Sequence, residues 1–168
     1  NFKELRAELQ ADGRTLESDT DSEVVVHLVS REIENGSSPR EAVAQVLPRL
    51  RGAFALAIAF RDHPGMMIGA RRGSPLVVGY GDGETYIGSD ALALAPLTQQ
   101  ISYLEEGDWV VVSREAAEIH DAENQPVERE IQTSGASAAA VEKGNYRHFM
   151  QKEIFEQPTV VAQTLGSY

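Results

Sequence analysis

The amino-acid sequence predicts an α+β fold, with a helical segment packed against antiparallel sheet. Three observations carry this. Apolar residues recur at helical spacing up to about residue 50, and residues 52–60, GAFALAIAF, are apolar almost throughout. From there to about residue 131 the chain is a series of short β-type runs separated by Gly, Pro, Asp and Asn. Helices first and strands afterwards favour segregated layers over alternating βαβ units.

The opening NFKELRAELQADG reads as an amphipathic helix, with Phe2, Leu5 and Leu9 on one stripe and Gly13 as its stop. A second helix lies in SDTDSEVVVHLVSREIENG. Thr20 to Glu23 fits the capping box T-x-x-E, and Asn35-Gly36 ends it. The third, SPREAVAQVLPRL, has Pro39 in its first turn and Pro48 disturbing its last.

GAFALAIAF then reads as a strand buried on both faces, because neither alternating set of positions is polar. MMIGARR, LVVGYG and TYIGSD come next at hairpin spacing. They predict an antiparallel meander in which RRGSP and GYGDG are tight turns. DALALAPL is a short helix, and Trp109 to Val112 are the most strand-like residues between it and residue 131.

Residues 132–145, QTSGASAAAVEKGN, are small and polar and read as a linker. They divide the chain into one domain over 1–131 and the start of another over 146–168. The second part opens on YRHFMQKEIFEQP, where Tyr146, Phe149, Met150 and Ile154 share a helical face and Pro158 is the expected end. A start inside a helix, without Met, suggests a piece of a longer chain.

Lys and Arg number 15 against 26 Asp and Glu, a net charge of −11. Such a field repels phosphate and argues against nucleic acid or an anionic membrane as partner. No stretch approaches the ~20 apolar residues of a membrane span. There is no cysteine, which excludes disulfides and thiolate metal sites and fits a reducing, cytoplasmic setting. His27, His63, His120 and His148 lack metal-ligand spacing and read as surface or packing residues. No phosphate-cradling or nucleophile-elbow motif occurs, so the sequence points to no cofactor.

Two places remain as candidates for chemistry. Asp21 sits at the start of a helix, where the free N–H groups and the helix dipole favour a carboxylate. It either helps cap that helix or faces a cleft and receives a ligand ammonium group. The loop in RRGSPLVVG is either a plain hairpin or one wall of a pocket.

SDTDSEVVVHLV, LRGAFALAIAF, ARRGSPLVVG, YIGSDALAL, YLEEGDWVVV and YRHFMQKEIFEQP occur in this order along the chain. Together they resemble the glutamine–fructose-6-phosphate amidotransferase family, also known as glucosamine-6-phosphate synthases. The resemblance runs from inside the glutaminase domain to just inside the sugar-phosphate isomerase domain. The T-D-S-E-V run and the G-A-F strand are shared across class II glutamine amidotransferases. RRGSPL, the pair Ser89-Asp90 and above all YRHFMQKEIFEQP resemble the fructose-6-phosphate branch.

The resemblance implies an N-terminal nucleophile hydrolase fold, two antiparallel sheets between helical layers, incomplete here at its N-terminal side. It implies glutamine hydrolysis by an N-terminal cysteine whose own α-amino group is the base. The ammonia then passes to fructose 6-phosphate, giving glucosamine 6-phosphate and glutamate. No metal or organic cofactor is implied, and the full-length protein is expected to be a homodimer.

Asp21 matches the aspartate that holds the α-ammonium group of glutamine. The nucleophile, the arginine gripping the substrate carboxylate and the Asn-Gly oxyanion hole would precede Asn1, and no catalytic residue is assigned within the chain. Asn1 itself matches the last residue of an N-G-x-x-x-N segment. The isomerase residues would lie after Tyr168. Alone, the chain is expected to be inactive and poorly soluble, with sheet edges left open. Two other readings are another class II glutamine amidotransferase and a naturally short, non-catalytic glutaminase-like binding module.

Overall fold

The computed structural model describes residues 1–135 and 144–166. Three helices, α1 (Phe2–Ala11), α2 (Asp21–Glu34) and α3 (Pro39–Val46), precede a 3-10 turn at Leu47–Arg49. The strands are β1 (Phe54–Ala59), β2 (Met66–Arg72), β3 (Val77–Tyr80), β4 (Thr85–Gly88), β5 (Gln100–Tyr103), β6 (Trp109–Ser113), β7 (Ala117–His120) and β8 (Gln132–Thr133). A short α4 (Ala91–Leu94) lies between β4 and β5, and α5 spans Phe149–Gly166.

The strands form two antiparallel sheets, ordered β1-β2-β6-β7 and β4-β3-β5-β8. The single meander expected from the sequence is therefore not what forms. After β2 the chain leaves the first sheet, builds three strands of the second, and returns at β6. Three apolar clusters show the layering. Leu5, Leu9, Val24, Leu28, Val43 and Val46 of the helices pack on Ile68, Ala70 and Trp109 of the first sheet. Between the sheets lie Val78, Val110, Val112 and Ile119, and α4 covers Val77 and Ile101 on the far face of the second sheet. The result is the α-β-β-α sandwich that the family resemblance implies.

Strand alternation explains how one sequence serves both faces. In β2, Ile68 and Ala70 face the helices, whereas Gly69 faces the second sheet. A Cβ on Gly69 would lie 3.0 Å from Val110 and 3.1 Å from both Ile87 and Leu76, so the absent side chain lets the sheets meet closely.

Several local expectations are corrected. β1 is not buried on both faces: it is an edge strand, with Phe54, Leu56 and Ile58 half-buried and Ala55, Ala57 and Ala59 exposed. The residues left exposed are alanines, whose methyl groups carry little apolar area. RRGSP is not a hairpin either, because β2 and β3 belong to different sheets. Arg71 fixes this crossing by donating to the carbonyls of Ser74 at 2.8 Å and Leu104 at 2.9 Å, and to the Glu106 carboxylate at 2.9 Å. Glu106 in turn accepts from the Gly73 amide at 2.9 Å. Gly73 needs its φ of 69°, and a Cβ there would come 2.8 Å from that of Ala53.

Helix α5 continues through Pro158 to Gly166. One proline removes one intrahelical bond, and the turns on either side remain bonded. The expected apolar stripe of α5 is exposed at Phe149, Met150 and Ile154, while Tyr146 stacks on Phe155 with ring centres 5.8 Å apart. Gln132 and Thr133, at the start of the expected linker, pair with Ile101 and Gln100 of β5. Residues 136–143 of that stretch lie outside the described residues. No helix among the described residues is long and apolar enough to cross a membrane.

Asp108 is buried and receives a bidentate pair from Arg129, at 2.8 and 2.9 Å, and the Glu105 amide at 2.7 Å. It thereby fastens the segment after β7 to the turn before β6. Asp108→Ala removes both bonds of the guanidinium to this carboxylate. Arg129 keeps Glu105 at 3.2 Å as a second partner, so the expected loss is about 3 kcal/mol, at the low end for a broken buried pair. Chemical denaturation measures it, and faster amide exchange at Val127 localises it.

Candidate functional site

Helix α1 begins where the helical layer meets the first sheet, and its leading residue holds that junction. The Asn1 side-chain amide donates to the Arg49 carbonyl at 3.0 Å, and its oxygen accepts from the Arg51 amide at 2.9 Å. Glu8, two turns along α1, accepts from Arg49 at 2.6 and 2.7 Å and from Arg31 of α2 at 2.9 Å. These guanidinium hydrogen bonds, that of Arg49 first, lower the Glu8 pKa below the ordinary carboxylate value. Arg31 also reaches Asp12 at 2.6 Å. The start of α1, the start of β1 and the body of α2 are thus tied together.

They enclose a cleft of about 260 Å³, lined by Asn1, Phe2, Asp21, Ser22, Val25, Leu50, Arg51 and Phe54 among others. Its floor is apolar, and its polar groups sit at the rim. Asp21 is exposed in the first turn of α2, and Ser22 donates to its Oδ1 at 3.4 Å. Arg51, also exposed, lines the same cleft from the entry to β1. An anionic and a cationic group on one small, partly apolar recess suit a zwitterionic ligand with a short side chain. Asp21 thus stands both at the start of α2 and on the cleft, as each of its two readings requires. The RRGSP loop does not line the cleft, but its Gly73 abuts Ala53, which does.

The capping box expected from Thr20 and Glu23 does not form, for Thr20 makes no side-chain cap. Glu23 folds back instead. It accepts from the Glu17 amide at 2.6 Å, from the Ser18 amide at 2.8 Å and from the Ser18 hydroxyl at 2.7 Å. Those bonds, the Ser18 hydroxyl first, depress its pKa from 4.5 to about 2. The loop before α2 is thereby fastened to the helix, and Asp21 is presented at a fixed place.

The histidines form no site. His120 is buried, stacked on Trp109 at 4.5 Å and held by Arg40 at 2.6 Å. Burial first, and then the Arg40 charge, push its pKa below the ordinary histidine value. No cluster of three potential metal ligands occurs among the described residues. Sequence reasoning singled out Asp21, which lines the cleft, but missed Asn1 as a clamp and Arg51 as a lining residue. Their partners are about fifty positions away, beyond any local pattern.

Residues 1–96 match a family model described as a glutamine amidotransferase domain. The whole chain is 68% identical to a glutamine–fructose-6-phosphate aminotransferase (isomerizing) of Zymomonas mobilis. It is 58% identical to the protein of that name from Brucella abortus and 49% to that from Bartonella henselae. In each case all of this chain is covered, but it spans only 28% of the relative's length.

The Glu23 bonds carry a pH signature. Because the folded pKa lies below the ordinary one, their stabilisation is complete above about pH 4.5 and fades as pH falls towards about 2. The stability difference between the protein and its Glu23→Gln variant should be flat from neutral pH to about 5 and shrink below that. Denaturant midpoints against pH measure it.

Proposed function

The chain belongs to the glutamine amidotransferase domain family, and on that premise we propose that its cleft forms part of a glutamine site. Asp21 accepts hydrogen bonds from the α-ammonium group of the substrate. The observation that carries this is the placement of Asp21, an exposed carboxylate in the first turn of α2, on the rim of a 260 Å³ cleft. The apolar lining from Phe2, Val25 and Phe54 suits the methylenes of glutamine, and the Asn1 clamp fixes the backbone at Arg49 and Arg51 beside it.

In this reading the whole protein hydrolyses glutamine and passes the ammonia to fructose 6-phosphate, giving glucosamine 6-phosphate and glutamate. It acts in the cytoplasm as a homodimer. The names of the relatives, at up to 68% identity over all of this chain, support the assignment. Residues 1–131 belong to the glutaminase unit, 132–145 join it to the next, and 146–168 begin the isomerase unit. These 168 residues contain no cysteine, so the attacking thiolate comes from sequence outside them. What this chain contributes is binding: it fixes the amino end of glutamine so that the side-chain amide reaches the nucleophile in one orientation.

A hydrogen bond to a charged group contributes about 1.5–3 kcal/mol. Asp21→Asn in the full-length protein should therefore raise the KM for glutamine roughly 10- to 150-fold. The KM for fructose 6-phosphate should be unchanged. Steady-state kinetics with each substrate varied in turn decides this, and an unchanged glutamine KM removes Asp21 from the site. The 168-residue polypeptide alone should release no glutamate from glutamine above a protein-free control.

A further inference from the structure

Resting on the glutamine-site reading, we infer that Arg72 is a positioning residue for that site: it fixes the wall formed by Leu50 and Phe54 without touching the substrate. Arg72 closes β2, opposite Phe54 in the β1–β2 register. Its Nη1 donates to the Leu50 carbonyl at 2.5 Å, and its guanidinium carbon lies 5.4 Å from the centre of the Phe54 ring. Leu50 and Phe54 both line the cleft with Asp21, whereas Arg72 does not. It borders a separate cavity of about 390 Å³, with Leu47, Pro48 and Trp109. The cation is therefore part of the partition between the two spaces.

The geometry around Leu50 shows why this contact bears on binding. Residues 50–53 belong to no helix or strand, so no regular ladder holds their peptide groups. Three consecutive residues are nevertheless held from a distance. Asn1 takes the Arg49 carbonyl and the Arg51 amide, and Arg72 takes the Leu50 carbonyl between them. Leu50 is only 6% exposed, and a buried carbonyl without a donor tends to reorient until it finds one. Rotation of that peptide carries the Arg51 amide away from Asn1 and moves both lining residues. The flat guanidinium over Phe54 does for the ring what the hydrogen bond does for the backbone. The neighbouring Arg71 has a different task, since its bonds go to Ser74, Leu104 and Glu106 and hold the crossing to the second sheet.

The test uses the full-length protein with Arg72→Met and Arg72→Lys, and with Asp21→Asn in parallel. Arg72→Met should raise the KM for glutamine about 3- to 10-fold, with kcat, the KM for fructose 6-phosphate and the melting temperature close to the parent's. Arg72→Lys keeps a donor for Leu50 but loses the flat face over Phe54, and should fall between the two. A glutamine KM unchanged by Arg72→Met but raised by Asp21→Asn overturns the positioning role and leaves the glutamine site standing. If neither variant changes it, the glutamine-site reading fails and the inference with it. A fall in melting temperature with proportionate loss for both substrates, in Met and Lys variants alike, reduces Arg72 to a structural residue and also overturns the inference.

Discussion

Between the 3-10 turn and β1 the chain crosses from the helical layer to the sheet, and the peptide groups exposed there must find partners outside regular structure. Asn1 meets that requirement by presenting a donor and an acceptor from one planar amide, as a neighbouring strand would. Each bond adds about 0.5–1.5 kcal/mol net, but their larger effect is geometric. They fix the entry angle of β1, and β1 sets the register of β2, on which the rest of the first sheet is built. Glu8 makes the same junction rigid from the other side, through Arg49 and Arg31. These ion pairs are partly solvated and add little stability singly. Linked through one carboxylate, they keep α1, α2 and the 3-10 turn in a single arrangement.

The helices were legible because their signals are local. Leu5 and Leu9, Val24 and Leu28, and Ala42, Val43 and Val46 stand at helical spacing and are buried as that spacing requires. Ser38 and Glu41 form the capping box of α3. Thr20 and Glu23 present the same pattern and do not, because Ser18 offers Glu23 three donors together with Glu17. A motif read four residues at a time cannot register that competition. The strands were legible in position but not in partnership. GAFALAIAF gives a strand, yet whether its alanines are covered depends on how far a second sheet extends. RRGSP has the residues of a hairpin turn, and only Leu104 and Glu106, more than thirty positions away, make it a crossing between sheets.

The cleft divides in the same way. Asp21 could be marked as a candidate from its place at a helix start, and its ligand role came only from the family resemblance, whereas Asn1, Leu50, Arg51 and Phe54 are brought to the same cleft by hydrogen bonds across 48 and 50 positions. No periodicity encodes such distances. In the sequence Asn1 reads only as the end of a segment. In the folded protein it is the residue that gives the stretch after Arg49 its shape.

The two acidic residues at the start of α2 show how environment separates roles within one turn. Glu23 is saturated by local donors, and its carboxylate is committed to holding residues 17 and 18. Asp21, two positions earlier, accepts among the described residues one long bond, from Ser22, and stands on the cleft rim. In the proposed glutamine site Asp21 releases and rebinds a ligand ammonium group at every turnover, and a carboxylate with that task cannot also be part of the scaffold, since ligand exchange would then loosen the loop. Assigning the structural bonds to Glu23 leaves Asp21 free to exchange partners while its own backbone stays fixed. The chain as a whole carries a net charge of −11, so negative charge is plentiful. What the fold supplies is one carboxylate held in place by another.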